Sequence, residues 1–133
     1  MKAKLTRSQR WVYELLQSTS TEIRAQDVFT QLKDQGRSLG LATVYRAIKT
    51  LQLRGLVQAR SLTNGEWVYR LASEDCHYLT CLNCGLSVPV DECPAHALEK
   101  KLAERDRFTV FYHTLEFFGL CSTCGDTLDV GAV

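Results

Sequence analysis

Two cysteine pairs of identical spacing are the clearest chemical feature of the sequence. Cys81 and Cys84 bracket CLNC, and Cys121 and Cys124 bracket CSTC. Two cysteines separated by two residues can turn both sulfurs toward one point, and two such pairs supply the four thiolates of a closed Zn²⁺ site. The spacing predicts a structural zinc site that ties the end of the chain to an earlier segment. A redox pair and an iron–sulfur cluster are the alternatives that the pattern leaves open.

A second set of donor side chains surrounds these pairs in the sequence. It comprises all three histidines, the two further cysteines and two carboxylates: His77, His96, His113, Cys76, Cys93, Asp75 and Glu116. A lone histidine is more often structural than a ligand, so the prediction depends on the group and not on one member. The group favours a second metal site with mixed nitrogen, sulfur and oxygen ligands. Because the donors are spread over several elements, metal occupancy could set the relative positions of those elements.

The residues around the cysteine pairs argue against an enzyme. Zinc-dependent deaminases carry His-x-Glu followed by Pro-Cys-x-x-Cys, whereas Thr80 and Leu120 precede the pairs here. Zinc-activated water would also need a pocket and a general base, and the sequence indicates neither. We therefore expect a binding protein without catalytic activity.

The composition is typical of a globular protein of the cytoplasm. The chain has 133 residues, of which 45% are hydrophobic and 23% are charged. Its first residues, MKAKLTRSQR, lack the apolar run of a signal peptide, and no stretch approaches the roughly 18 apolar residues of a membrane span. In a reducing compartment, six cysteines favour metal binding over disulfides. We expect a cytoplasmic protein with no membrane partner.

The charges divide the chain into two unlike halves. Residues 1–70 carry a net charge of +7 and residues 71–133 a net charge of −6. A basic half beside an acidic half that holds the cysteines and histidines indicates a polyanion-binding module joined to a metal-binding module. A chance partition of solvated charges is the alternative.

The basic half has the pattern of a winged helix-turn-helix. Apolar residues at helical spacing predict helices over residues 6–18, 25–34 and 41–54, with glycines after the second and third. The following run, LVQARSLTNGEWVYRL, predicts a β-hairpin around an Asn-Gly turn. We assign residues 1–72 to an N-terminal winged-helix DNA-binding domain.

The third predicted helix would supply the side chains that reach DNA. Opposite its core stripe it carries Tyr45, Arg46, Lys49 and Gln52, where arginine can meet guanine edges or phosphates. Arg7, Arg10 and Arg60 extend the basic surface on neighbouring elements as phosphate contacts would. A solvated helix face is the alternative for any single residue.

The acidic half predicts a small α/β domain over residues 76–133. We expect strands over HYLTC and LSVPV, a helix from about Pro94 to Arg105 with the stripe Ala95, Leu98 and Leu102, and a strand over residues 107–121. The last strand would expose alternating apolar residues that a second copy of so small a domain could cover. The fold class is therefore α+β, and the C-terminal domain is a dimerisation domain.

Three segments together resemble the ferric uptake regulator (Fur) family of metal-dependent repressors. They are LATVYRAIKTLQLRGLV with the hairpin that follows, HYLTCLNCG, and YHTLEFFGLCSTC. Within that family the sequence is most similar to the zinc uptake regulators, notably in ATVYRAIKTL, ECPAH and HTLEFFGLC. The resemblance covers nearly the whole chain.

This resemblance implies a function and a set of site residues. It implies a homodimer that, loaded with metal, binds a palindromic, A/T-rich operator in double-stranded DNA, with Thr43 joining the helix residues at the DNA. It also implies structural zinc, a sensory metal near the hinge between the domains, and a further site in the dimerisation domain. His77, His96, His113 and Asp75 fall on that further site. Where many relatives have His-x-His before the first pair, this chain has Cys76 and Tyr78, so the hinge site is either rebuilt around Cys76 or merged with the histidine site.

The sensed metal follows from the softness of the donors. Thiols such as Cys76 and Cys93 suit Zn²⁺ better than iron or manganese. We therefore expect a zinc-responsive repressor that controls genes of zinc homeostasis. The alternative within the family is a repressor that responds to peroxide or to iron or manganese, which would use an oxygen and nitrogen site.

Overall fold

Residues 4–74 and 77–131 are described by the computed structural model of the protein. The chain divides after Glu74 into two units. Within the described ranges, no helix is both long and apolar enough to cross a bilayer.

The first unit begins with three helices whose ends match their sequence signals. They are α1 (Arg7–Ser18), α2 (Ala25–Asp34) and α3 (Leu41–Leu53). Thr6 caps α1 through a capping box, because its hydroxyl accepts from the Gln9 amide at 3.3 Å and the Gln9 side chain accepts from the Thr6 amide at 3.0 Å. Gly36 and Gly55 follow α2 and α3 with φ of 77° and 76°, the left-handed conformation that terminates helices.

The apolar stripes of these helices form one core together with the hairpin. The most deeply buried side chains are Val12, Leu16, Val28, Leu32, Val44, Ile48, Leu51 and Val57. The hairpin consists of antiparallel strands β1 (Val57–Ser61) and β2 (Trp67–Leu71), and Ile23 adds a short bridge to Tyr69. Three helices packed on a hairpin are the winged helix-turn-helix that the sequence predicts, and they leave the outer face of α3 exposed.

The second unit contains a small mixed sheet and two helices. Its elements are β3 (His77–Cys81), β4 (Ser87–Val90), α4 (His96–Asp106), β5 (Glu116–Gly119) and α5 (Ser122–Thr127). β3 lies between the other strands, antiparallel to β4 and parallel to β5. The parallel pairing places Cys81 opposite Gly119, which brings the two cysteine pairs to the same end of the sheet.

The buried side chains of the second unit are unusual for a domain core. Among its described residues, the buried ones are His77, Thr80, Cys81 and Cys124, and none of them is aliphatic. Many large apolar side chains are instead exposed, among them Leu79, Val88, Phe108, Phe117 and Phe118. A unit with so little buried apolar surface depends on a cross-link or on a partner for stability.

One expectation for this unit is wrong. The strand predicted over residues 107–121 is confined to β5, because a strand requires ladder hydrogen bonds. In the described residues, segment 109–115 makes a single backbone bond to the sheet, from the Tyr78 amide to the Leu115 carbonyl at 3.4 Å. The predicted helix is present as α4, and Leu98 of its apolar stripe is 55% exposed. The short α5 around the second cysteine pair was not predicted, because it is too brief for a helical period.

Candidate metal centres and nucleic-acid interface

The four paired cysteines form one thiol cluster. Cys81 ends β3 and Cys84 lies in the turn that follows, while Cys121 precedes α5 and Cys124 lies within it. All four Sγ atoms lie within 4.8 Å of one another, and those of Cys84 and Cys121 are 3.8 Å apart. A tetrahedron of sulfurs at the usual zinc–sulfur distance has edges of about 3.8 Å. All four are free thiols, so the donor set and its spacing fit zinc.

Hydrogen bonds within the thiol cluster shift the pKa values of two of its thiols in opposite directions. The backbone amides of Cys121 and Cys84 lower the pKa of the Cys81 thiol to about 6. The Asn83 side-chain amide donates to Cys124 Sγ at 3.3 Å. That bond lowers the pKa of Cys124, but the bonds to Cys121 and other neighbouring thiols, with burial, raise it to about 11. Four protein donors fill a tetrahedron and leave no open position, as in structural sites.

A second cluster gathers around His113. Its Nε2 lies 3.0 Å from Cys93 Sγ and 3.1 Å from His77 Nε2, and its ring stacks on the His77 ring with centroids 4.7 Å apart. His77 begins β3, Cys93 precedes α4, and His113 lies in the segment before β5. Two imidazoles and a thiol within ligand distance fit Zn²⁺, which accepts nitrogen and sulfur donors.

The Nδ1 edge of the His113 ring is directed at α4. Its Nδ1 contacts the Glu99 carboxylate, and the His96 ring lies edge-on to it with centroids 5.4 Å apart. His96, Glu99 and His113 form a third group of potential metal donors that shares His113 with the second. Glu99 was missed by the sequence reasoning. The signal for it was its position three residues after His96, which puts both on one helix face.

The remaining predicted donors are not part of these clusters. Asp75 and Cys76 lie outside the described residues. Glu116 begins β5 opposite Tyr78 and does not belong to any of the donor groups among the described residues.

The predicted DNA-contacting residues of α3 lie on its exposed face. Tyr45, Arg46 and Lys49 are exposed, opposite the buried stripe of the helix. The Arg46 guanidinium donates to the Thr43 hydroxyl at 3.2 Å, one turn earlier. These side chains lie on a helix face of the kind that a major groove can accommodate.

The arginines of neighbouring elements differ in their surroundings. Arg10 is exposed on α1. Arg60, by contrast, forms two hydrogen bonds with the Glu22 carboxylate, at 2.9 and 2.6 Å, and the two side chains are only 14% and 12% exposed. A phosphate contact would have to break this pair, so the structure favours a structural role for Arg60.

The Trp11 ring contacts two arginine side chains of the first unit. The guanidinium carbons of Arg7 and Arg37 lie 5.0 and 5.4 Å from the Trp11 ring centroid. Arg37 also pairs with Glu14 at 2.7 Å. Contact with an indole limits the conformational freedom of an arginine side chain.

Comparison with known proteins identifies the chain. The model of the ferric uptake regulator family matches residues 1–118. The protein belongs to the Fur family. It is 34% identical to the zinc uptake regulation protein of Mycobacterium tuberculosis, over 90% of this chain and 92% of that protein. It is 29% identical to the ferric uptake regulation protein of Neisseria meningitidis serogroup A, over 91% of this chain and 85% of that one.

The structural comparison agrees with this assignment. The crystal structure of the Vibrio cholerae ferric uptake regulator matches with a TM-score of 0.60 and 28% identity, over 89% of this chain and 92% of that one. The predicted α+β fold class and the predicted resemblance are therefore confirmed. The protein is a Fur-family metalloregulator, a transcription regulator and not an enzyme.

Proposed function

We propose that this Fur-family protein is a zinc-responsive repressor that binds operator DNA as a metal-loaded homodimer and controls genes of zinc homeostasis. The observation that carries the proposal is the His113 cluster, in which a thiol joins two imidazoles. Iron(II) and manganese(II) prefer oxygen and nitrogen donors, whereas a thiolate at the site favours zinc. The similarity to a zinc uptake regulation protein supports the same metal.

We assign two roles to the two metal centres. Cys81, Cys84, Cys121 and Cys124 would hold structural zinc in a closed shell. His77, Cys93 and His113 would hold the regulatory zinc, with His96 beside them and with Asp75 and Cys76 as further candidates. When bound there, zinc supplies a cross-link between donors on β3, on the loop before α4 and on the segment before β5. A regulatory response requires that this cross-linked arrangement bind DNA better than the open one.

The first unit would bind the operator. Tyr45, Arg46, Lys49 and Thr43 would face the major groove, and Arg10 and Arg7 would contact phosphates. The similarity to the Vibrio cholerae ferric uptake regulator, which has DNA-binding domains, supports this proposal. We assign residues 1–72 to this role and residues 76–133 to metal binding and dimerisation.

Dimerisation would cover the apolar surface of the second unit. Leu79, Val88 and Phe117 sit opposite one another in the register of β4, β3 and β5, and all three are exposed. A contiguous apolar sheet face of this kind is typical of an interface between subunits. Because the proposed function is binding to operator DNA, we place the protein in the cytoplasm.

A repressor that responds to peroxide or to iron or manganese is the second candidate, because ferric uptake regulation proteins are also among the relatives. Operator binding distinguishes the two. The purified dimer would be titrated with Zn²⁺, Mn²⁺ and Fe²⁺ separately, with and without peroxide, against a duplex that the zinc-loaded protein selects from a random library. We expect zinc to promote binding at the lowest free concentration and peroxide to have no effect on the zinc-loaded form. Tighter binding with iron or manganese, or loss of binding with peroxide, would favour the second candidate.

A further inference from the structure

The two nitrogens of the His113 ring face different chemical surroundings. Nε2 points to the Cys93 thiol at 3.0 Å and to His77 Nε2 at 3.1 Å. Nδ1 contacts the carboxylate of Glu99, which lies in the first turns of α4. Both the His113 and Glu99 side chains are mostly buried, at 17% and 24% exposure, so water competes weakly for this contact.

Metal ligation places a strict demand on an imidazole. The nitrogen that binds the metal must offer a lone pair, so the proton of a neutral ring must sit on the other nitrogen. An ionised carboxylate only accepts hydrogen bonds. A carboxylate at Nδ1 therefore holds the proton there and leaves the Nε2 lone pair directed at Cys93 and His77.

We propose that Glu99 is a positioning residue of the regulatory zinc site. It fixes the tautomer and orientation of His113 and stays outside the set of atoms that bind the metal. Carboxylates commonly support metal-binding histidines in this way. The inference rests on the proposed regulatory site at His77, Cys93 and His113, and it adds the residue that prepares His113 for that role.

The competing arrangement would make Glu99 itself a ligand, together with His96 and His113. That set would use His113 Nδ1, and one neutral imidazole cannot offer both nitrogens at once. The Nε2 side has the better donors for zinc, because it includes a thiol and the His77 ring, which is only 3% exposed. On the Nδ1 side, His96 is exposed to solvent, which competes for its nitrogens.

Two substitutions at one position separate positioning from ligation. Glu99→Leu removes the hydrogen-bond acceptor and keeps a side chain of similar size, whereas Glu99→Gln keeps an oxygen that can accept a hydrogen bond from His113 Nδ1–H. Because a glutamine amide is a poor zinc ligand, a ligand role predicts that both variants lose the site. A positioning role predicts that Glu99→Leu weakens binding of the second zinc about 10–100-fold, and that Glu99→Gln retains most of the affinity. Glu104→Gln, at an exposed position of the same helix, is the matched control.

The measurements use the full-length protein. Zinc competition titration gives the affinity of the second equivalent, Co²⁺ substitution reports thiolate ligation and coordination number, and ¹⁵N NMR of the imidazoles identifies the metal-bound nitrogen. We expect zinc-loaded wild type to show His113 bound through Nε2 with the proton on Nδ1. We also expect the Co²⁺ spectrum of Glu99→Gln to match that of wild type.

Three results would overturn the inference. The first is zinc bound to Nδ1 of His113. The second is an equal loss of affinity for the second zinc in Glu99→Leu and Glu99→Gln, and the third is an unchanged affinity for that zinc in Glu99→Leu. The NMR result on wild type applies even where Glu99→Leu does not fold. If wild type takes up only one zinc per chain, the proposed regulatory site itself is wrong. If wild type takes up a second zinc whose affinity does not depend on Glu99, only the role of Glu99 is wrong.

Discussion

Arg46 lies exposed in the middle of α3, and the Thr43 hydroxyl holds its guanidinium. If Arg46 makes a bidentate contact with a base, Arg46→Ala should weaken operator binding by about 1–3 kcal/mol. Fluorescence anisotropy with the library-selected duplex measures the loss, and zinc content and dimer mass should be unchanged. Arg105→Ala, an exposed arginine of the second unit, is the control. Operator affinity equal to that of wild type would contradict the assignment of Arg46.

Arg10 and Arg60 were predicted from sequence to act alike, and the structure separates them. For Arg10, which is exposed on α1, we expect Arg10→Ala to reduce affinity for all DNA sequences. The dependence of log K on log salt should flatten by about one unit, because one counterion fewer is released. An unchanged salt slope would remove Arg10 from the DNA interface.

Arg60 should instead affect folding. Arg60→Ala leaves the mostly buried Glu22 carboxylate without its two hydrogen bonds to Arg60. We expect the free energy of unfolding of the first unit to fall by about 1.5–3 kcal/mol, the usual contribution of hydrogen bonds to charged groups. The double variant Arg60→Ala/Glu22→Ala should recover part of the loss, because no unpaired carboxylate remains. If Arg60→Ala left the free energy of unfolding unchanged and flattened the dependence of DNA affinity on salt, Arg60 would instead be a DNA contact.

At the scale of elements, β3 and the turn after it are joined to α5 through the thiol cluster. Cys121→Ser removes one of four thiolates, and no aliphatic core among the described residues of this unit compensates. We expect an unfolded or aggregated second unit and loss of the tightly held zinc. Zinc content after dialysis against chelator and near-ultraviolet circular dichroism test this expectation. Ser122→Ala, next to it on exposed surface, should behave as wild type. A folded, zinc-responsive Cys121→Ser protein would exclude the structural role.

The elements differ in how far the sequence determines them. Helices α1 to α3 were predicted to within about a residue, because their apolar stripes and terminal glycines are local signals. Segment 109–115 was predicted wrongly as strand, since pairing depends on a distant neighbour and not on alternation alone. The thiol cluster was predicted as a set from its spacing. Glu99 was not, because its role depends on which nitrogen of His113 it faces.

At the scale of the whole molecule, the two metal centres should respond differently to zinc availability. A closed shell of four thiolates has no position for an exchanging water, so its zinc should remain when free zinc falls. The signal would then come from the His113 cluster, whose donors lie on β3, on the loop before α4 and on the segment before β5. We therefore expect His113→Ala to give a folded dimer that retains one zinc per chain.

The most direct test of this account is operator binding across a series of zinc-buffered solutions, for wild type and His113→Ala. We expect wild type to bind the selected duplex only above a threshold of free zinc at which a second equivalent is taken up. We expect His113→Ala to keep its structural zinc and its dimer mass, and to bind the duplex weakly at every zinc concentration. The account would be contradicted if His113→Ala showed the same zinc threshold as wild type, or if wild type bound the operator equally well with one zinc per chain and with two.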